Sequence, residues 1–142
     1  GKGKINLFTL FIEKSHQILS KDYEFTFIIP NTFLRVTSYD GPRKFMVNNF
    51  QINTIYDFGD KVFDDAVTTS IVITATKRIK PKNYIVNIIG NKNIVLSKNE
   101  IVTNNYIITL NIDKNALSLI NKIKNENKRN KKYGQKSKRQ KT

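Results

Sequence analysis

"YEFTFIIPNTFL", Tyr23 to Leu34, is the stretch on which the fold turns. Its first eight residues are rich in aromatic and β-branched side chains, the composition of a strand packed on both sides. Pro30 cannot donate to a ladder and ends that strand. Upstream, Ile5, Phe8, Phe11, Ile12, Ser15, Ile18 and Leu19 recur at three- and four-residue spacing. That is one apolar stripe on a helix, and "SKDY" breaks its period. Downstream, "NTFLRVTSYDG" reads as a loop entering a short helix, with Pro42 near its first turn and Phe45, Met46 and Phe50 turned inward. "QINTIYDF" (Gln51–Phe58) is a second strand and Val67–Lys77 a third. A helical crossover between the first two strands predicts that they run parallel. The loop before the third is too short for a helix, which predicts an antiparallel strand.

Beyond Lys77, "NYIVNIIG" and "YIITLNI" are expected to pair around "NKNIVLSKNE", and "ALSLINKIK" to form a short helix. The last stretch, "NENKRNKKYGQKSKRQKT", has no apolar residue except Tyr133 and is expected to be disordered. The predicted organisation is therefore 1–78, 79–124 and a basic tail at 125–142.

The 142 residues suit one domain and carry a formal charge of +14. That charge is uneven: ten of the 25 Lys and Arg, with a single acidic residue, fall within 121–142. The strong electrostatic footprint thus belongs to the tail, and the rest is only mildly basic. The chain has no cysteine, which excludes a disulfide framework or thiolate metal site and fits a reducing, cytoplasmic setting. No run approaches the roughly 18 apolar residues of a membrane span, so no membrane partner is expected. His16 is the single histidine, placed on the polar side of the first helix, so a zinc site or a triad is not supported. Asp57, Asp60, Asp64 and Asp65 lack the spacing and distal Glu of a calcium loop and read as a solvated loop. No metal is expected.

Phe63 stands between Lys61 and two aspartates, where it can bury little. A loop phenylalanine there is either a lid on the core or a flat surface meant for something flat, and spacing does not choose between them.

"NLFTLFIEKS", "FTFIIPNTFL" and "IYDFGDKVFDDAVTTSIVI" resemble, in order and spacing, the later catalytic-domain motifs of TaqI-like adenine-specific DNA methyltransferases, including fused type II restriction–modification enzymes. The resemblance covers residues 1–77 and, more loosely, up to 124. It implies an α/β chain: the second half of a Rossmann-like S-adenosylmethionine-dependent methyltransferase fold, a mostly parallel sheet with an antiparallel edge strand. It implies S-adenosylmethionine as cofactor, bound at the carboxyl ends of the strands, and double-stranded DNA as partner. The family's target adenine must leave the duplex before methyl transfer, and Phe63 matches the aromatic that stacks on it. Phe11 matches the apolar residue packed on the cofactor's adenine, although it also lies beside the helix's core stripe. Asn6 and Phe8 open the same motif, where Asn6 either caps the helix or lines the cofactor pocket. Pro30 and Asn31 would shape the pocket.

The family's glycine-rich cofactor loop and its Pro-Pro catalytic loop have no counterpart here, since the only prolines are Pro30, Pro42 and Pro81. The resemblance therefore implies a fragment or subunit, inactive alone, with no catalytic residue of its own. Its expected partner is the missing N-terminal half of the enzyme as a separate chain. The competing reading is a small non-catalytic nucleic-acid-binding protein that uses its basic tail.

Overall fold

The computed structural model describes residues 6–59 and 69–110. Helix α1 (Leu7–Ile18) is followed by strand β1 (Glu24–Pro30), two 3-10 turns (Asn31–Leu34 and Thr37–Tyr39) and helix α2 (Asp40–Asn49). Then come β2 (Phe50–Asp57), β3 (Ser70–Lys77), β4 (Ile85–Ile89), β5 (Ile94–Ser97) and helix α3 (Lys98–Thr103). The strands form one sheet in the order β1-β3-β2-β4-β5.

β3 is antiparallel to both β1 and β2, and β2 is parallel to β4. β4 and β5 form an antiparallel pair. β1 and β2 thus point the same way, as their helical crossover requires, but they are not neighbours. Here the structure corrects two expectations. The antiparallel strand lies between β1 and β2 rather than at the edge, and one of the four pairings, not most, is parallel. The reason is visible in "SIVITATK": Ile71, Ile73 and Ala75 are completely buried, which suits a strand paired on both sides.

One face of the sheet carries the core. Phe25, Phe27 and Ile29 of β1 alternate with exposed Glu24, Thr26 and Ile28. Phe25 packs edge-on against Phe50 at 4.7 Å, and Ile12, Phe33, Leu34, Met46, Val47, Ile52 and Ile55 close the layer. Fully burying each such side chain stabilises the fold by about 1.5–3 kcal/mol. α1 meets this core along a narrower stripe than its sequence suggests. Thr9 and Ile12 are buried, whereas Phe11 and Ile18 are 50% and 71% exposed. α2 turns Met46 and Val47 inward as expected and adds Arg43, which is also buried.

His16 departs from its expected polar side. Its ring lies edge-on to Phe45 at 5.4 Å and Phe50 at 5.3 Å. Burial, then the charge of Lys77, lowers its pKa below the ordinary histidine value.

The pairing expected between the "NYIVNIIG" and "YIITLNI" runs is also corrected. β4 pairs with the nearer Ile94–Ser97, while residues 107–109 form no strand. Ser97 and Glu100 make a capping box that ends β5 and starts α3 at once. The helix expected over "ALSLINKIK" and the basic tail lie outside the described residues.

Candidate functional site

Because β1, β2 and β4 run in one direction, Pro30, Asp57 and Ile89 end at one edge of the sheet, where β3 begins at Ser70. This carboxyl edge is where ligands gather on open α/β sheets. Four segments meet there, and each is fixed by a local interaction.

The first is the N-terminus of α1. Asn6 caps the helix, its side chain accepting from the Phe8 backbone N–H at 3.5 Å. The same side chain donates to the Tyr39 hydroxyl at 3.2 Å. Phe8 packs edge-on against Phe33 at 5.7 Å and lies 5.2 Å from Tyr39. The two readings of Asn6 are thus joined: it caps the helix and ties it to the segment after β1.

The second segment is that turn region, residues 31–39, held from below by Arg43. This guanidinium is 1% exposed. It donates to the carbonyls of Phe33 and Val36, each at 2.7 Å, and pairs with Asp40. Its Nε is a buried donor without an acceptor among the described residues. A buried acceptor at Phe33 and a partly buried one at Val36 thereby receive a charged partner, the stronger kind of hydrogen bond.

The third comprises the residues on either side of 60–68. On the exit side, Asn31 donates through its backbone N–H to the Thr69 carbonyl at 2.9 Å and through its side chain to the Thr69 hydroxyl. On the other side, the Asp57 carboxylate accepts from the Gly59 N–H at 3.1 Å. Gly59 has φ +64, a conformation that favours glycine. Phe58, 52% exposed, stacks on Tyr56 with ring centroids 6.2 Å apart.

The fourth is Gly90, at the end of β4. A Cβ there would sit 3.0 Å from the Asp57 carbonyl, so the glycine allows the two strand ends to close up.

The structure therefore brings Asn6, Phe8, Pro30 and Asn31 to one edge. Phe11 lies one helical turn away, tilted over Phe27 at 6.3 Å. Beside it is a shallow open depression of about 360 Å³ lined by Leu10, Glu13, Lys14 and Gln17. Phe63 lies outside the described residues, as do Asp60, Asp64 and Asp65. Among the described residues, no three His, Asp or Glu side chains come together. No helix among them is long and apolar enough to cross a membrane.

Sequence reasoning passed over Arg43, Tyr39, Phe58 and Thr69. A signal existed for Arg43: it falls on the stripe of Met46, Val47 and Phe50, a charge where the helical period demands an apolar side chain.

Residues 1–63 match the model of the Eco57I restriction-modification methylase family. The type II methyltransferase M.AccI of Acinetobacter calcoaceticus is 36% identical over 83 residues, which is 56% of this chain and 15% of that relative. The fold is similar to the M protein of the type I restriction enzyme EcoKI, with TM-score 0.51 and 15% identity, over 60% of this chain and 20% of that one. It is similar also to a chain of a type I R-M system, with TM-score 0.60 and 8% identity, over 92% of this chain and 38% of that one. The chain thus spans a small part of the proteins it matches. Its N-terminal 63 residues thus match the model of the Eco57I restriction-modification methylase family, and 83 of its residues are similar to a type II methyltransferase.

Proposed function

We propose that this chain is a part, fragment or subunit, of an adenine-specific DNA methyltransferase of a restriction–modification system. It would supply one wall of the site in which S-adenosylmethionine gives its methyl group to the exocyclic amine of a flipped adenine. The observation that carries this reading is the meeting of Asn6, Phe8, Pro30 and Asn31 with Asp57, Gly59 and Thr69 at the carboxyl edge.

In this reading Phe63 stacks on the flipped base. Phe11 packs on the cofactor's adenine from its half-exposed position, beside Asn6 and Phe8. Asn31 holds Thr69, which follows the segment carrying Phe63, and Pro30 shapes the floor. The glycine-rich loop and the residues that orient the adenine amine come from a segment this sequence does not contain. The residues present fit a flat apolar ligand: Phe11 offers an exposed ring face, and the aromatic cluster behind Phe8 backs the helix end.

The test is reconstitution with the N-terminal part of a related methyltransferase, followed by identification of the methylated base in the product. Methylation at the adenine amine is expected. Phe63→Ala should lower activity by about 5- to 150-fold, the equivalent of roughly 1–3 kcal/mol for one base–aromatic stack. Cytosine methylation, or full activity of the variant, would refute the assignment.

A further inference from the structure

The strands have a second set of ends, opposite Pro30, Asp57 and Ile89. There β1 begins at Glu24, β3 ends at Lys77, β4 begins at Ile85 and β5 ends at Ser97. β3 is eight residues long, so this amino edge stands about 25 Å from the carboxyl edge, at roughly 3.3 Å per residue. Lys21, Lys77, Arg78, Lys80, Lys82 and Lys98 all fall at the amino edge. The acidic side chains there are already engaged. Asp22 pairs with Arg78 and, at 4.0 Å, with Lys21; Glu24 accepts from the Asn53 side chain; Glu100 closes the capping box of α3. Among the described residues, no carboxylate pairs with Lys80, Lys82 or Lys98.

The segment 78–84, which carries Lys80 and Lys82, is fixed at both ends. The Arg78 N–H donates to the Asn49 carbonyl at 3.4 Å, and the Lys98 N–H donates to the Tyr84 carbonyl at 2.9 Å. The Lys98 ammonium donates to the Pro81 carbonyl and lies 5.8 Å from the centre of the Tyr84 ring. Pro81 is buried, while Lys80 and Lys82 on either side of it are exposed. A buried proline thus anchors the segment and leaves a lysine on each flank in solvent. Lys80 has φ +48, in the left-handed region where glycine or asparagine is at ease. Neither the backbone nor packing gives a reason for a lysine at that position.

We infer that the amino edge is a phosphate-binding surface. Lys80 and Lys82 are the contacting cations, and Pro81 and Lys98 form the frame that presents them. The occupant is the backbone of duplex DNA, held without regard to sequence: a lysine ammonium meets phosphate as a point charge, and phosphate contacts position a duplex without reading it. Residues 121–142 do not fit this surface, because their charge has the same sign. The basic surface stands on geometry and charge alone, whereas the choice of DNA among polyanions rests on the functional reading above. The separation of about 25 Å means that the contacted phosphates belong to a stretch of DNA apart from the target base.

The test is the salt dependence of binding between the full chain and a mixed-sequence DNA duplex. Each phosphate contact contributes about 0.9 to the slope of log affinity against log salt. Lys80→Asn combined with Lys82→Gln removes two charges, and asparagine suits the left-handed position. The slope should become shallower by about 1.8, so that between about 50 and 200 mM salt the double variant loses roughly tenfold less affinity than the parent. Lys14→Gln combined with Lys44→Gln removes the same charge from exposed positions on α1 and α2 and should leave the parent slope unchanged. An unchanged slope for the Lys80 and Lys82 pair overturns the inference. So does an equal loss from both pairs, which would assign the effect to net charge.

Amide NMR shifts on adding the duplex give an independent readout. The signals of residues 78–84 should move in the parent and stay in place in the Lys80 and Lys82 variant. Shifts confined to the surroundings of Asn6 and Asn31, or to residues 121–142, overturn the inference. A poly-glutamate peptide that moves residues 78–84 as strongly as DNA overturns it in favour of an acidic protein partner. In the reconstituted enzyme, methyl transfer together with an unchanged slope refutes this surface alone. A shallower slope without methyl transfer refutes the methyltransferase reading alone.

Discussion

The two edges of this sheet are built differently. At the β5 edge the strand is four residues long, and the chain leaves it through the Ser97–Glu100 capping box into α3. Short length and an immediate turn leave little for another chain to pair with. At the β1 edge seven residues run without interruption, with Ile28 exposed and Phe11 of α1 tilted over Phe27. Among the described residues, one edge ends in a short strand and a helix cap, and the other is a longer strand paired on one side.

The largest effect that sharpens this contrast lies within β1 itself. Ile29 is 2% exposed and its neighbour Ile28 is 63% exposed. Ile29→Ala should cost about 2–5 kcal/mol of stability in chemical denaturation, the range for truncating a buried isoleucine. Ile28→Ala should cost no more than about 0.5 kcal/mol in the chain alone. A large loss from Ile28→Ala would mean that this face is already covered.

Arg43 comes next. Arg43→Ala strands the buried carbonyl of Phe33, at about 1–3 kcal/mol, and frees the partly buried one of Val36. Faster exchange should be concentrated in residues 31–39, and a uniform change across the sheet would contradict the clamp. At the β5 edge, Ser97→Ala removes the cap of α3 and should cost about 1 kcal/mol.

The smallest effect is the pH response of His16, whose pKa is lowered in the fold by burial and by Lys77. The unfolded chain binds that proton more readily. Its contribution to stability is therefore complete above the unfolded value of about 6.5 and declines as pH falls through the lower folded value. His16→Gln should flatten the stability profile across that window relative to the parent chain.

Much of the helix and strand succession was legible because period and composition agreed in α1, β1, α2 and β2. The strand order was not. Parallel direction of β1 and β2 follows from the crossover, but insertion of β3 between them depends on long-range pairing that no local pattern encodes. The expected pairing of β4 differs for a local reason: "IVLS" is a short run, and the Ser-x-x-Glu signature at its end marks a helix start rather than a longer strand. In the site, the family motif marked Asn6, Phe8, Pro30 and Asn31, and the structure shows them at one edge. The partners that hold them, Tyr39, Thr69 and Arg43, are distant in sequence or hidden as charges on an apolar stripe.

The central proposal is that the described residues supply one wall of a methyltransferase site. The most direct measurement is transfer of a labelled methyl group from S-adenosylmethionine to mixed-sequence DNA, by the chain alone and with the N-terminal segment of M.AccI. The account predicts background transfer by each part alone and transfer well above background when the two are combined. Turnover by the chain alone would contradict it, and so would an associated pair that transfers nothing.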